Sequence, residues 1–112
     1  MEKTFIETGE FTEWVEAYLS DDALSALQRE LLDDPGRGGV LPGCGGLRKI
    51  RAPDSKRAKG KRGGVRVVYL HVEETARIYL ITIYSKDQKE DLTAGDKKTY
   101  RHLARVLRQE ER

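Results

Sequence analysis

The chain has 112 residues, which suits one domain over residues 1–112. Its composition is polar, with 36% charged and 38% hydrophobic residues, but the apolar residues cluster in periodic runs, unlike those of a disordered chain. It has one cysteine, Cys44, which excludes a scaffold of internal disulfides. The sequence shows no signal peptide and no run of roughly 18 apolar residues that could span a membrane, so we expect a cytoplasmic protein. The net charge of +2 hides an asymmetry, because residues 1–35 sum to −8, residues 36–70 to +9 and residues 71–112 to +1.

The acidic first third predicts a short strand followed by a helical hairpin. Residues 4–7 (TFIE) form the strand, and the apolar residues after it recur with the period of one helix face: Phe11, Trp14, Val15, Tyr18 and Leu19. Ser20 and two aspartates predict the N-cap and first turn of a second helix. Its apolar residues are Leu24, Leu27 and Leu31. The Asp34–Pro35 step ends it, because a residue before proline disfavours the helical conformation.

The middle of the chain predicts three strands after a glycine-rich loop. Alternation in residues 47–51 (LRKIR) places Leu47, Lys49 and Arg51 on one face of the first of them. The other two strands are rich in β-branched residues and are separated by only four residues, which predicts an antiparallel hairpin; they span residues 64–72 and 77–84. The basic segment between residues 52 and 63 is interpreted as a loop.

The last element is predicted to be a helix. Thr93 and Asp96 have the spacing of a capping box, and the apolar residues that follow form one stripe, namely Tyr100, Leu103, Ala104 and Leu107. The order is therefore β, α, α, β, β, β, α. This order predicts an α+β fold with a small, largely antiparallel central sheet, an N-terminal helical hairpin and a C-terminal helix.

Arg66 is the most informative charged residue. By alternation it shares a strand face with Val68, Leu70 and Val72, and burying a guanidinium there is costly unless it meets an anion or an acidic partner. Lys49 and Arg51 are predicted to lie beside it across the sheet. Two interpretations stay open: Arg66 pairs with a carboxylate such as Glu10 or Asp91, or the three cations bind a phosphate.

The common catalytic motifs are absent. The two histidines and Cys44 lack metal-ligand spacing, the glycine-rich loop lacks the G-x-x-x-x-G-K-[ST] pattern, and no G-x-S-x-G element occurs. A cluster of arginines and lysines nevertheless suits RNA cleavage without a metal or another cofactor. In that reaction the 2′-hydroxyl attacks the adjacent phosphorus, the phosphorane gains negative charge, and the leaving 5′-oxygen takes a proton.

Three segments, GLRKIR, GKRGGVRVVYL and YLITIYSKDQKEDL, make the chain resemble the RelE/HigB family of bacterial toxin–antitoxin systems, closest to the HigB-like branch. The resemblance extends from the first strand to the last helix. It implies a RelE-like fold and a ribosome-dependent mRNA endonuclease that cleaves the codon in the ribosomal A site. It also implies three partners, which are the ribosome, mRNA and a helix-turn-helix antitoxin.

The resemblance also implies site residues. The catalytic positions of the family fall on Lys49, Arg51, Arg66 and Lys86. A tyrosine that serves as general base in one branch would fall on Leu92 here, so that role is vacant, and Tyr84 or Lys49 is the predicted substitute. RNA contacts are predicted for the remaining basic residues of this region, which are Arg48, Lys56, Arg57, Lys59, Lys61 and Arg62.

Two other classes of function stay open. ParE relatives of the same fold inhibit DNA gyrase without catalysis, although they lack the strand cations at positions 49, 51 and 66. A ribosome- or RNA-binding module without catalysis would also explain the basic segment and the absent tyrosine.

Overall fold

The computed structural model describes residues 2–53, 64–86 and 91–110. Three helices and five strands occur in these parts of the chain, together with one short 3₁₀ turn. In chain order they are β1 (Thr4–Glu7), α1 (Gly9–Tyr18), α2 (Asp21–Asp33), β2 (Gly39–Val40), β3 (Arg48–Ala52), β4 (Val65–Val72), the 3₁₀ turn (Glu73–Thr75), β5 (Arg77–Ser85) and α3 (Ala94–Glu110). None of these helices is both long and apolar enough to cross a bilayer.

The five strands form one sheet in the order β1-β5-β4-β3-β2. Strand β1 pairs parallel with β5, and every other pairing is antiparallel. The predicted α+β class and element order are confirmed, with one addition. Strand β2 was not predicted, because two residues within a glycine-rich loop carry no periodicity that a sequence pattern could reveal.

Each face of the sheet is covered by helices, so the strands separate two apolar layers. Helices α1 and α2 cover one face, where the buried side chains include Phe11, Val15, Leu27, Leu31, Ile50, Val67, Tyr69, Ile78 and Leu80. Helix α3 covers the other face, which is called the α3 face below. Its buried side chains include Leu47, Val68, Leu70, Tyr79, Ile81, Leu92 and Ala104.

Side-chain caps fix where the helices begin. The Ser20 hydroxyl accepts a hydrogen bond from the backbone N–H of Ala23, as predicted. Thr93 and Asp96 form the predicted capping box, since each side chain accepts a hydrogen bond from the other's backbone N–H at 3.0 Å. Trp14 departs from its predicted place in the apolar stripe of α1, because it is 47% exposed.

A bulge in β5 changes which residues face α3. The partner of Tyr69 is Leu80 but the partner of Val68 is Thr82, so Ile81 is an extra residue in β5. Such an insertion reverses the alternation of a strand. Consequently Tyr84 lies on the α3 face, although strict alternation from Leu80 would place it on the face covered by α1 and α2.

Thr8 connects this bulge to the start of α1. Its hydroxyl donates to the carbonyl oxygen of Ile81 at 2.7 Å and accepts from the backbone N–H of Phe11 at 3.1 Å. One side chain therefore caps α1 and holds the extra residue of β5.

The loop before β2 is held against the sheet by two side chains. The buried Tyr69 hydroxyl donates to the Pro35 carbonyl at 2.7 Å and accepts from the Gly38 N–H at 2.9 Å. A guanidinium nitrogen of Arg48 donates to the carbonyl oxygens of Gly36 and Gly38 at 3.1 and 2.7 Å. These bonds satisfy loop backbone groups that have no strand partner.

We expect Gly38→Ala to destabilise the fold, because a Cβ atom there would lie 2.8 Å from the Lys49 carbonyl oxygen and 2.9 Å from the Tyr69 ring. The expected loss is about 1–3 kcal/mol in the free energy of unfolding, measured by urea denaturation. Gly39→Ala is the matched control, since nothing lies within 4 Å of its Cβ position. Equal stability of the two variants would contradict the tight packing at Gly38.

Candidate functional site

Three cations from two adjacent strands meet on the α3 face. Arg51 of β3 lies directly opposite Arg66 of β4, and Lys49 of β3 lies opposite Val68. Arg66 in turn lies opposite Tyr84 of β5. Lys49, Arg51 and Arg66 are called the cation row below, and the predicted convergence of these residues across the sheet agrees with this register.

The row runs from exposed to buried. Arg51 is exposed, the Lys49 side chain is 27% exposed, and Arg66 and Tyr84 are only 5% and 4% exposed. A ligand that approaches β3 from solvent would therefore meet the more exposed Arg51 and Lys49 first and the buried guanidinium of Arg66 behind them. Low solvent access strengthens the electrostatic attraction that Arg66 exerts on a nearby anion.

Arg51 and Arg66 are two like charges at directly opposite positions of an antiparallel strand pair. Like charges at such positions repel each other, and an anion bound between them would offset that repulsion. A guanidinium donates charge-assisted hydrogen bonds to anions, so the two facing arginines suit an anionic ligand such as a phosphate.

Asp91 lies beside the row and modulates its charge. The Asp91 carboxylate is 3.3 Å from the Lys49 ammonium nitrogen and accepts the Leu92 backbone N–H at 2.8 Å. The Leu92 hydrogen bond, followed by Lys49, lowers the pKa of Asp91, so this carboxylate is ionised at neutral pH. The pair is half exposed and contributes little to stability, but it fixes the position of the Lys49 head group.

Of the two carboxylates predicted as alternative partners for Arg66, Asp91 thus contacts Lys49. The other, Glu10, accepts a hydrogen bond from the Tyr100 hydroxyl at 2.8 Å.

Tyr84 lies next to Arg66, at the buried end of the cation row. Burial raises the pKa of Tyr84 to about 12, with further increases from Asp91 and Asp96 and a decrease from Arg66. The phenol is therefore protonated at neutral pH. This state suits a donor of a hydrogen bond or proton to an oxygen atom and does not suit a general base.

The other predicted residues lie in different places. Lys86 is exposed and follows β5, two residues after Tyr84. Arg48 lies on the opposite face from the row, where it holds the loop before β2, and the structure does not bring it together with the row. Leu92 is buried among the apolar side chains under α3. The remaining predicted RNA contacts fall outside the described residues; these are Lys56, Arg57, Lys59, Lys61 and Arg62.

A neighbouring cleft was not predicted. It has a volume of about 300 Å³ and lies between α1, α3 and the end of β5. Tyr84, which lies beside the cation row, also lines this cleft. Glu10 and Trp14 line it at i, i+4 spacing on α1, and Asp96 and Tyr100 line it at the same spacing on α3. Only the helix spacing is visible in the sequence; the meeting of the two helices is a product of the fold.

Metal binding finds no support in the described parts of the chain, where no group of three His, Cys, Asp or Glu side chains could hold an ion. The groups that the described residues contribute to the site are guanidinium, ammonium, phenol and carboxylate groups.

Comparison with solved structures identifies the architecture. An arginine double mutant of E. coli RelE in the free state matches with a TM-score of 0.54 and 21% sequence identity over 80% of this chain and 90% of that chain. The isolated E. coli RelE toxin matches with a TM-score of 0.54 and 16% identity over 90% of this chain and 98% of that chain. The chain has a RelE-like fold.

The intact E. coli RelBE toxin–antitoxin complex also contains a chain of this fold, with a TM-score of 0.51 and 21% identity over 72% of this chain and 93% of that chain. No protein-family model matches the sequence. The predicted RelE-like fold is confirmed by these neighbours, while the predicted site residues and the HigB-like branch stay predictions.

We expect Asp91→Asn to lower the pKa of Tyr84, because the Asp91 charge contributes to its rise to about 12. Ionisation of Tyr84 is followed by tyrosinate absorbance as pH is raised. The signal of Tyr84 is the difference between the parent protein and its Tyr84→Phe variant, and likewise between Asp91→Asn with and without Tyr84→Phe. Because the folded pKa exceeds the ordinary value of 10.0, Tyr84 stabilises the fold fully below pH 10, and this contribution is lost as pH rises through about 12. A folded protein whose Tyr84 ionises near 10 would contradict the burial of this phenol.

Proposed function

We propose that this chain is the toxin of a type II toxin–antitoxin pair and cleaves mRNA in the ribosomal A site. The observation that carries the proposal is the register that aligns Arg51, Arg66 and Tyr84 across three strands, with Lys49 on the same face. The RelE-like fold supports the assignment to a toxin, and the cations on the sheet support RNA as the substrate.

The proposed charge stabilisation uses only side chains. Arg51 and Arg66 bind the non-bridging oxygens of the scissile phosphate and stabilise the additional negative charge of the phosphorane. Lys49, whose position is fixed by Asp91, adds a third positive charge at the exposed side of the row.

Tyr84 is proposed to protonate the leaving group. The attack of the 2′-oxygen on phosphorus breaks the bond to the 5′-oxygen, which must gain a proton as it leaves. Tyr84 carries a phenolic proton at neutral pH and lies directly across the strand pair from Arg66. Lys49, the other predicted base, is a cation in the ion pair with Asp91 and has no lone pair for a proton, so the proton of the 2′-hydroxyl is proposed to pass to water. Lys86 is proposed to contact RNA at the same end of the sheet.

The partners follow from this function. The ribosome and mRNA would contact the basic segment around residues 56–62, whose charges position RNA through its phosphates without reading sequence. A helix-turn-helix antitoxin is proposed as the neutralising partner, with support from the neighbour that is a toxin–antitoxin complex.

We expect Arg66→Ala to abolish most cleavage. The loss of a buried guanidinium at the reacting phosphate should raise the barrier by about 2–4 kcal/mol, as does the loss of an oxyanion donor. Cleavage is measured by primer extension on a message translated in a purified system. Arg29→Ala, an exposed arginine of α2, is the control with the same change in charge.

Two checks make this result decisive. The circular dichroism spectrum and melting temperature of Arg66→Ala must show that the variant is folded, and Arg66→Lys serves in its place if alanine unfolds the chain. Normal cleavage by a folded variant would refute the catalytic assignment. Growth arrest by the parent protein without any cleavage, combined with inhibition of purified gyrase, would favour the ParE type.

Replacing both Lys59 and Lys61 by alanine should weaken ribosome association and lower its dependence on salt. Each phosphate contact that is removed reduces the slope of log K against log salt concentration by about one unit. The measurement is ribosome binding at several salt concentrations. An unchanged slope would limit the role of these lysines to solubility.

A further inference from the structure

The cleft between α1 and α3 has an aromatic wall that the proposed cleavage does not use. Trp14 lines it and is 47% exposed, although the neighbouring apolar residues of α1 are buried in the core. It is the only tryptophan of the chain. Tyr18 lies one helical turn further along the same face of α1, and Tyr100 faces them from α3. A half-exposed indole at the rim of a concave surface is typical of a binding site.

Two carboxylates give this aromatic cleft a negative character. Glu10 stands one turn before Trp14 on α1, and its carboxylate is oriented by the hydrogen bond from the Tyr100 hydroxyl at 2.8 Å. Asp96 lines the opposite wall from the first turn of α3. Burial raises the pKa of Tyr100 to about 12, and Glu10 and Asp96 contribute to this rise.

The combination selects for one kind of ligand. A phosphate or a nucleotide would be repelled by two carboxylates, whereas a cation would be attracted by them and by the faces of the aromatic rings. Among biological cations, a guanidinium fits best, because it is planar, stacks on an indole and donates two parallel hydrogen bonds to a carboxylate.

We propose that this cleft binds an arginine side chain of a partner polypeptide, with the guanidinium stacked on Trp14 and hydrogen-bonded to Glu10. The proposal is separate from RNA cleavage and holds whether or not the chain is a nuclease.

Charge around the cleft favours a polypeptide over a small cation. Glu13 and Glu16 are exposed on the same helix as Glu10, and residues 1–35 carry a net charge of −8. A segment with several basic residues could place one arginine in the cleft while the others lie along this acidic helix surface. Such complementarity speeds association and orients the partner.

The test uses the full chain and the fluorescence of Trp14, which reports on the cleft because the protein has no other tryptophan. The probe is a short peptide of alternating arginine and alanine, titrated at physiological ionic strength. A saturable change in fluorescence is expected. The lysine version of the peptide and spermidine should bind about tenfold more weakly, because neither stacks nor forms the bidentate hydrogen bond.

Variants locate the site. Glu10→Gln should weaken arginine-peptide binding by about tenfold, since it removes a charged acceptor from the cleft. Glu13→Gln is the matched control on the same helix; it removes the same charge outside the cleft and should leave the affinity within about twofold. Trp14→Ala, measured by calorimetry because it lacks the fluorophore, should also weaken binding, and circular dichroism must show that each variant is folded.

Three outcomes would overturn the proposal. Equal affinity for the arginine and lysine peptides would show that the acidic helices attract any basic peptide without a specific guanidinium site. Equal effects of Glu10→Gln and Glu13→Gln would place binding outside the cleft. Stronger quenching of Trp14 by a short oligoribonucleotide, together with calorimetry showing that Trp14→Ala no longer binds the oligoribonucleotide, would assign the cleft to a nucleobase instead.

Discussion

The electrostatic arrangement of the site depends on the register of three strands. Arg51, Arg66 and Tyr84 lie in line only because β3, β4 and β5 pair as they do. A slip of one residue in β3 would move Arg51 to the other face and remove the repulsion between the two arginines. Ile50 and Ala52 oppose such a slip, because it would move these buried side chains of β3 out of the apolar layer under α1 and α2. The core thus holds Arg51 and Arg66 at facing positions.

The bulge at Ile81 is the second constraint on this arrangement. It reverses the alternation of β5, so that the strand contributes Leu80 to one apolar layer and Tyr84 to the other. Thr8 holds the extra residue through its carbonyl oxygen while it caps α1. The start of α1 and the position of Tyr84 are therefore linked by one side chain, although these residues are far apart in the sequence.

Periodicity explains why much of this fold was predictable. The helices, the three long strands and the convergence of Lys49, Arg51 and Arg66 follow from alternation and from the short connection between β4 and β5. The bulge could not be predicted, because residues 78–81 are all apolar and show no alternation whose interruption would mark Ile81. Asp91 was considered only as a partner for Arg66, and its contact with Lys49 depends on where the chain turns after β5. The cleft depends on helix packing and leaves only an i, i+4 spacing in the sequence.

Tyr84 lies where an acidic and a basic region of the structure meet. Acidic residues concentrate on α1 and α2, while the cation row lies on strands β3 and β4. Tyr84 lies between the two regions, since it is opposite Arg66 in the sheet and also lines the cleft with Glu10. Charges of both signs act on the pKa of Tyr84, because Asp91 and Asp96 raise it and Arg66 lowers it. A chain with these two regions can attract an anionic and a cationic ligand at adjacent positions, which a uniformly basic RNA-binding surface could not do.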